Sequence, residues 1–581
     1  MTTSDAFGDS TKEHAPRLPG FFFDLAALAL VPLTILAQGH RFGLGYQDLL
    51  ITFVRHANNP GWLVNDWRLN GAPFHPQLLP IMAWLVRITN EASAFLLLQM
   101  VTRFILLTGI WRLVRALLPS GWERVALAAM ACVIFEPHFL LGFQYLQAGH
   151  WEPGFLGMAF AVWIMMCGIE CGEGRRHWTS LALFSGFGMI AHLFICGPVF
   201  AVAVAALIAR KRPWKEVVWV TLAGLALGSP AWVPAAMEFF FPSAHPLTSR
   251  EVIQLLQFRH PHHHQPWTWP LDHYVQAVLL LGAGAFAWSR LARGWDRRST
   301  LALPAVLLVY FLVSCAAFAI CGRLQIVALL AYLQPFRLLS LLLLLTQIGV
   351  LAVLEHLLGS KPCWLYFPVA VLGLLTMALV PLHGAVLIAP LVFWYVPLLR
   401  RWEVPSLPSP AFCWVGTIAL AGLGYVGVIG MQASPTLQAR ANRLHHDHWI
   451  STIQPLPAAR AELTAWVRKN TLPYDMFAIP PAMESFRLWE ERPIVVDFRN
   501  VPFTNAELWE WAKRVALGAN VDPYIPFSSM PTQDANPYII TLLAKTYGAR
   551  YVVLREKISD PAVVFQNDEY TVLDLAHGSV E

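Results

Sequence analysis

Two carboxylates near the start of the chain stand where a general base could act. Asp48 and Asp66 lie in the polar segment that follows the first apolar run, and both are next to apolar or aromatic residues. A carboxylate within hydrogen-bonding reach of a hydroxyl, in a dehydrated cleft, accelerates attack by that hydroxyl. The same carboxylates are candidate ligands for a divalent metal. The alternative is structural, with Asp66 capping a turn after Asn65 and Asp48 solvated.

A second polar group lies in a short segment between two later apolar blocks. His150 and Glu152 flank a tryptophan there. Ionisable groups close to membrane depth usually face a cavity or a partner rather than lipid. We therefore predict that His150 and Glu152 share a cavity with Asp48, with a structural pairing as the alternative.

A basic segment precedes another apolar block. It contains Arg259, His260, His262 and His263, and the last two begin a run of three histidines. Prolines interrupt this segment, so it lacks the regular spacing of convergent metal ligands. An anion site fits better, because arginine offers a planar fork to phosphate oxygens and histidines add N–H donors. Arg337, at the start of a further block, is predicted to hold a second phosphate oxygen. A metal site and a solvated loop remain alternatives for the histidines.

The elements that must position these residues are those of a membrane protein. Of the 581 residues, 56% are hydrophobic and 13% are charged, against about 25% charged in soluble proteins. The apolar residues form long blocks, and a bilayer crossing needs about 20 of them. The net charge of +5 is small for this length, and we predict no nucleic-acid partner.

The blocks and the charges between them predict a topology. Residues 1–20 are polar and the apolar run that follows lacks a cleavage site, which indicates an uncleaved anchor with a cytoplasmic N-terminus. Residues 21–430 are predicted to cross the membrane about 13 times. Lys and Arg concentrate on one side, so outer loops 40–91 and 237–271 are predicted on the other, together with the C-terminal tail.

Three details of this topology are further predictions. Residues 78–88 are too short to span. The block 178–209 has basic residues at both ends, so it is predicted to be two short helices folded at Gly197-Pro198, where glycine permits a turn and proline removes a backbone donor. Asp24 and His192 lie inside apolar blocks, where helix–helix hydrogen bonding is the expected role.

The tail, residues 431–581, has ordinary mixed composition and follows all eight cysteines. Helical spacing at 459–470, 508–515 and around Leu542, together with strand-like runs at 476–479, 494–498 and 551–554, predicts a small soluble α/β domain. It contains no phosphate-cradling glycine loop. We predict that the tail supports the site or acts as an acceptor-recognising lid.

The arrangement resembles the C-type (GT-C) polytopic membrane glycosyltransferases. Local phrases are similar to uncharacterised bacterial members: Arg259 to His263, Gln334 to Arg337, Ala465 to Thr471 and Pro480-Pro481. The resemblance implies sugar transfer from a polyprenyl-phosphate or diphosphate donor, with Asp48 in the place of the first-loop carboxylate. It also implies a bacterial inner membrane, with its lipids as partners. Here Gln47, rather than a second acid, precedes Asp48.

Two other classes of function stay open at this stage. A transporter or a non-catalytic scaffold would use the embedded acids and histidines to line a path, although the sequence contains no clear internal repeat of the kind common in secondary transporters. An enzyme descendant that has lost catalysis is the remaining alternative.

Overall fold

The protein is seen here as a computed structural model. It describes residues 20–43, 47–73, 75–118, 122–132, 151–175, 177–240, 247–259, 264–269, 271–293, 301–327, 335–358, 450–451, 456–483, 485–502, 504–524 and 536–576. Three of the apolar blocks that are predicted to cross the membrane lie outside the described residues, namely 364–380, 384–399 and 409–430.

The first part of the chain is helical. Its helices are α1 (Gly20–Gln38), α2 (Gln47–Asn58), α3 (Leu79–Ile88), α4 (Glu91–Leu117), α5 (Trp122–Cys132), α6 (Pro153–Gly172), α7 (Trp178–Ala209), α8 (Trp214–Phe240), α9 (Ser249–Arg259), α10 (Leu271–Arg293), α11 (Ala302–Leu324) and α12 (Leu339–Leu358), with 3-10 turns at Pro266–Thr268 and Pro335–Leu338. Apolar side chains of α1, α4–α7, α11 and α12 form one large core. Asp24 of α1 accepts from Arg112 and Trp111 of α4, which are the predicted helix–helix bonds.

Among the described residues, six helical segments are long and apolar enough to cross a membrane. They are α4, α6, α7, Trp214–Glu238 of α8, α11 and Pro335–Val353. This is the architecture of a polytopic membrane protein. The count of about 13 crossings is not confirmed by these six, and α3 is short, as predicted for residues 78–88.

Helix α7 is a hairpin, not one straight crossing. His192 has the only non-helical backbone inside it, with φ −160° and ψ 96°. A Cβ on Gly188 would lie 2.9 Å from Sγ of Cys196, whereas a continuous helix would hold these residues about 12 Å apart. Beyond the far end, Arg210 pairs with Glu173, which precedes the near end, at 3.0 Å. Both ends therefore lie on one side, as the flanking charges predict.

The turn itself is at His192, and the predicted position at Gly197-Pro198 is wrong. The physical reason is tertiary. The hairpin tip packs against α6 at Gly157, where an added Cβ would lie only 2.6 Å from Cβ of His192. A glycine on the neighbouring helix, not the local glycine-proline pair, makes room for the turn.

The tail contains a small sheet with helices beside it. Its elements are α13 (Ala458–Asn470), β3 (Phe477–Ala478), α14 (Phe486–Trp489), α15 (Asn505–Ala519), α16 (Pro537–Tyr547), β4 (Tyr551–Leu554), β5 (Val563–Gln566) and β6 (Thr571–Asp574). The strand order is β3-β4-β6-β5, with β3 parallel to β4 and the other pairs antiparallel. Thr504 caps α15 by accepting from the backbone N–H of Glu507.

The sequence predictions for these tail elements are confirmed except for one strand. The predicted strand 494–498 is reduced to a single bridge between Ile494 and Phe477. Strands β5 and β6 had not been predicted.

The tail is joined to residues 40–73 at several points. A short strand β1 (His40–Arg41) pairs in parallel with β2 (Ile450–Ser451). Nε1 of Trp67 donates to the carbonyl of Val495 at 2.5 Å, and Nδ2 of Asn65 donates to the carbonyl of Tyr474 at 3.0 Å. We call this contact between residues 40–73 and the tail the seam.

The hairpin can be tested by cross-linking. In a Gly188→Cys variant, oxidation is expected to join the new thiol to Cys196. A Cβ at position 188 would lie 3.1 Å from Cβ of Cys196, a few tenths of an ångström below the distance of about 3.5–4.5 Å in disulfides, so a small shift brings the pair into range. Mass spectrometry of the digested protein would detect the linked peptide, with Gly188→Cys/Cys196→Ser as the control. Two free thiols after oxidation would contradict the hairpin.

Candidate functional site

Asp48 is a buried carboxylate at the start of a helix. It lies in the first turn of α2 and is 4% exposed. Its Oδ2 accepts from the Ser485 hydroxyl at 2.9 Å and from Nη1 of Arg499 at 3.3 Å. Burial raises the pKa of the Asp48 carboxyl, and Arg499 and Ser485 partly oppose that shift. A desolvated carboxylate with a raised pKa is suited to accept a proton.

Ser485 reaches Asp48 from an uncommon backbone conformation. Its φ is 62°, in the left-handed region that few non-glycine residues adopt. This conformation sits immediately before α14 and turns the Ser485 hydroxyl onto a carboxylate 437 residues away in sequence. Strained backbone of this kind tends to occur at functional sites.

Asp66 is fully buried, and its lone pairs are occupied. Its Oδ1 accepts from the backbone N–H groups of Arg68 and Leu69. Its Oδ2 accepts from Nε of Arg487 at 2.7 Å and from the backbone N–H of Ile494 at 3.1 Å. Because a carboxylate has about four acceptor positions, Asp66 has none to spare for a substrate, which favours the turn-capping interpretation.

Arg487 connects Asp66 to a second buried acid. Its Nη1 donates to Oδ2 of Asp497, which also accepts from Nδ2 of Asn500. The Arg487 side chain is 3% exposed, and so is that of Asp497. The seam is therefore held by a guanidinium between two carboxylates, one from each side.

A small cavity lies beside Asp48. Its lining residues are Asp48, Thr52, Ser485, Arg487, Leu488, Asp497 and Asn500. Five of these come from the tail, for which the sequence predicts a supporting or acceptor-recognising role but indicates no individual site residue. One signal was present: Asp497 is an acid inside the apolar run 494–498, and buried acids need partners.

Arg259, the last residue of α9, reaches the same region. Its guanidinium lies 4.9 Å from the ring centre of Phe498, and its Nη2 donates to the carbonyl of Arg499 at 3.3 Å. Asp48 and Arg259 thus contact the same residue from two sides. His150, His260, His262 and His263 lie outside the described residues.

Arg337 belongs to a second polar cluster at the tip of the α7 hairpin. Its Nη1 lies 2.8 Å from Nε2 of His192, and the His192 ring centre is 5.6 Å from that of His75. Burial is the main cause that lowers the pKa of His75 to about 4. The positive charge of Arg337 adds to this shift, and the negative charge of Glu152 opposes it. His75 is therefore neutral at physiological pH.

The two clusters are linked at the start of α2. Gln47, directly before Asp48, donates from Nε2 to the carbonyl of Trp151 at 3.2 Å, and Glu152 follows as the residue that precedes α6. Asp48 and Arg259 therefore share Arg499 as a partner, and the residue before Asp48 bonds to the residue before Glu152. Within the described ranges, no three His, Cys, Asp or Glu side chains group as metal ligands would.

Comparisons with known proteins give limited matches. Residues 458–517 match the family described as a domain of unknown function (DUF6798), and no curated protein matches the chain. The chain is similar to a crystal structure of the Archaeoglobus fulgidus oligosaccharyltransferase tethered to an acceptor peptide with an NVT sequon, at 12% identity and a TM-score of 0.39, over 93% of this chain and 69% of that one. A structure of the Archaeoglobus fulgidus enzyme with Zn and sulfate gives 13% identity and a TM-score of 0.37, over 92% and 67%. These TM-scores are low, and the contacts of the site itself carry the functional conclusion.

The Asp66–Arg487 pair can be tested by unfolding. Asp66→Ala leaves a buried guanidinium with half its partners, and breaking a buried pair in this way costs about 3–5 kcal/mol. We expect a matching loss of unfolding free energy, measured by denaturant titration in detergent and by faster proteolysis of the tail. Asp568→Asn, at an exposed surface pair, should leave both unchanged. Equal stability of the two variants would contradict this role.

Proposed function

We propose that this protein transfers a sugar from a polyprenyl-phosphate-linked donor to an acceptor at the extracytoplasmic face of a bacterial inner membrane. In this orientation the N-terminus is cytoplasmic and the tail extracytoplasmic. The observation that carries the proposal is Asp48. It is a buried carboxylate with a raised pKa, held by one hydroxyl and one guanidinium at a cavity between the first outer loop and the tail.

The proposed reaction forms one bond to the anomeric carbon of the donor sugar and breaks another. An acceptor nucleophile attacks the anomeric carbon of the donor sugar, and its proton passes to Asp48. The bond between the anomeric carbon and the phosphate oxygen breaks, and the electron pair leaves with the lipid phosphate. General-base assistance of this kind contributes about 10²–10⁴-fold to rate.

The departing phosphate requires cations, and two arginines are candidates. The guanidinium of Arg259 packs over the Phe498 ring, and its Nη2 donates to the carbonyl of Arg499, the residue that also pairs with Asp48. Arg337 stands at the hairpin tip beside His192 and His75. Guanidinium groups match phosphate oxygens bidentately, and stabilising a leaving anion in a dry site is commonly the largest catalytic effect.

Replacement of Asp48 tests the proposal directly. Asp48→Asn keeps the shape and can still accept from Ser485, but it cannot take a proton, so turnover should fall at least about 100-fold. The assay would use purified protein, lipid-linked sugars and a membrane extract as the acceptor source, with exposed Asp522→Asn as control. Unchanged turnover would remove Asp48 from the mechanism. Uptake into proteoliposomes without a glycosylated product would support a transporter instead.

The pH profile supplies an independent test. Because burial raises the pKa of Asp48 above its ordinary value of 3.8, activity should be lost on acidification at a pH above 3.8. Arg499 stabilises the charged carboxylate, so Arg499→Met should raise the pKa further and move this acid limb to higher pH. Arg468→Met, which removes an exposed pair with Glu491, should leave the limb in place. An unshifted limb in Arg499→Met would assign it to another group.

A further inference from the structure

Two of the residues that line the cavity beside Asp48 have buried polar atoms without hydrogen-bond partners in the described part of the chain. Its volume is about 10 Å³, close to the space that one water molecule needs. Of the residues that line it, Arg487 has an Nη2 and Asn500 an Oδ1 that are buried and make no hydrogen bond within the described part of the chain. Arg487 is 3% exposed, with Nε bound to Asp66 and Nη1 to Asp497.

Such atoms define the ligand by complementarity. A buried polar group without a partner is costly, and each one in a native structure needs an explanation. Nη2 of Arg487 can only donate, whereas Oδ1 of Asn500 and the carboxylate of Asp48 can only accept. The missing group must therefore accept one hydrogen bond and donate at least one other, within the space of about one heavy atom.

Few chemical groups meet this description. A carboxylate or phosphate only accepts, and Asp48 and Asp497 would repel it. An amine is an ammonium ion near neutral pH, and an ammonium only donates, so it cannot satisfy the guanidinium of Arg487 and would be repelled by it. An amide nitrogen likewise offers only hydrogens, and its oxygen is too distant to share a cavity of this size. The O–H group of water or of an alcohol accepts and donates through one atom.

We propose that this cavity seats the nucleophilic hydroxyl of the acceptor, so that the acceptor class is an alcohol, such as a sugar or lipid hydroxyl. This inference rests on the transfer activity proposed above. The hydroxyl oxygen accepts from Nη2 of Arg487, and its single hydrogen points between Oδ1 of Asn500 and the carboxylate of Asp48, which takes it as the reaction proceeds. As the oxygen bonds to the anomeric carbon, the O–H bond breaks toward Asp48 and the lipid phosphate departs. The tail thereby selects the acceptor, while the membrane part holds the donor.

The test uses methanol, the smallest alcohol, as the acceptor probe. Purified full-length protein is incubated with the lipid-linked donor and methanol, and the methyl glycoside is measured by mass spectrometry. Parallel reactions contain methylamine or formamide. We expect product with methanol and none with the two nitrogen nucleophiles. Preference for either nitrogen nucleophile would overturn the inference, whatever any variant does.

Substitution of Asn500 supplies the second arm. Asn500→Leu keeps the size but removes the accepting oxygen, together with the Nδ2 bond to Asp497. We expect methyl glycoside formation to fall at least about tenfold, the effect of one hydrogen bond, with the donor KM unchanged. Asn65→Leu removes an asparagine hydrogen bond across the same seam but outside the cavity, and it should retain full yield. Equal yields from both variants would mean that the cavity holds a structural water only.

Different outcomes contradict the proposed transfer activity and the proposed hydroxyl site. Donor consumption with a membrane extract, but never with methanol, overturns the pocket and leaves the transferase intact. No consumption with either removes both.

Discussion

The guanidinium of Arg487 lies between Asp66, in the segment 40–73, and Asp497 of the tail, and much of the remaining structure depends on this arrangement. Moving three charges out of water costs several kcal/mol for each ion, and only good geometry compensates for it. Separating the two sides would break the Arg487–Asp66 pair and leave each of these buried groups without a charged partner that it has now. This favours the interpretation of the tail as a fixed wall over that of a mobile lid.

The setting of Asp48 follows from the same interaction. Ser485 is two residues before Arg487 and Arg499 is two residues after Asp497, so the bonds that fix the buried pair also place the two groups that bind Asp48. The cavity between them lies at the point where three segments meet. A change at Arg487 or Asp497 would therefore alter both the pKa of Asp48 and the shape of the cavity.

Sequence patterns predicted what depends on local composition. The apolar blocks, the hairpin with both ends on one side, and the tail helices near 459–470 and 508–515 follow from periodicity and charge, which act over short distances. The position of the hairpin turn depends on Gly157 of another helix, and no local signal marks it. The cavity could not be assembled either, because Ser485 and Arg499 lie 437 and 451 residues from Asp48. Sequence patterns indicated Asp48 and Arg259 as separate candidates, but they gave no signal for Arg499, which both residues contact.

The proposed reaction makes two opposing electrostatic demands. A leaving phosphate needs strong cations, yet a cation placed against a carboxylate lowers its pKa and weakens it as a base. In the structure Arg499 contacts Asp48 at 3.3 Å, while Arg337 contacts His192 at the tip of the α7 hairpin. Burial remains the largest influence on Asp48, and its pKa stays raised despite the contact with Arg499.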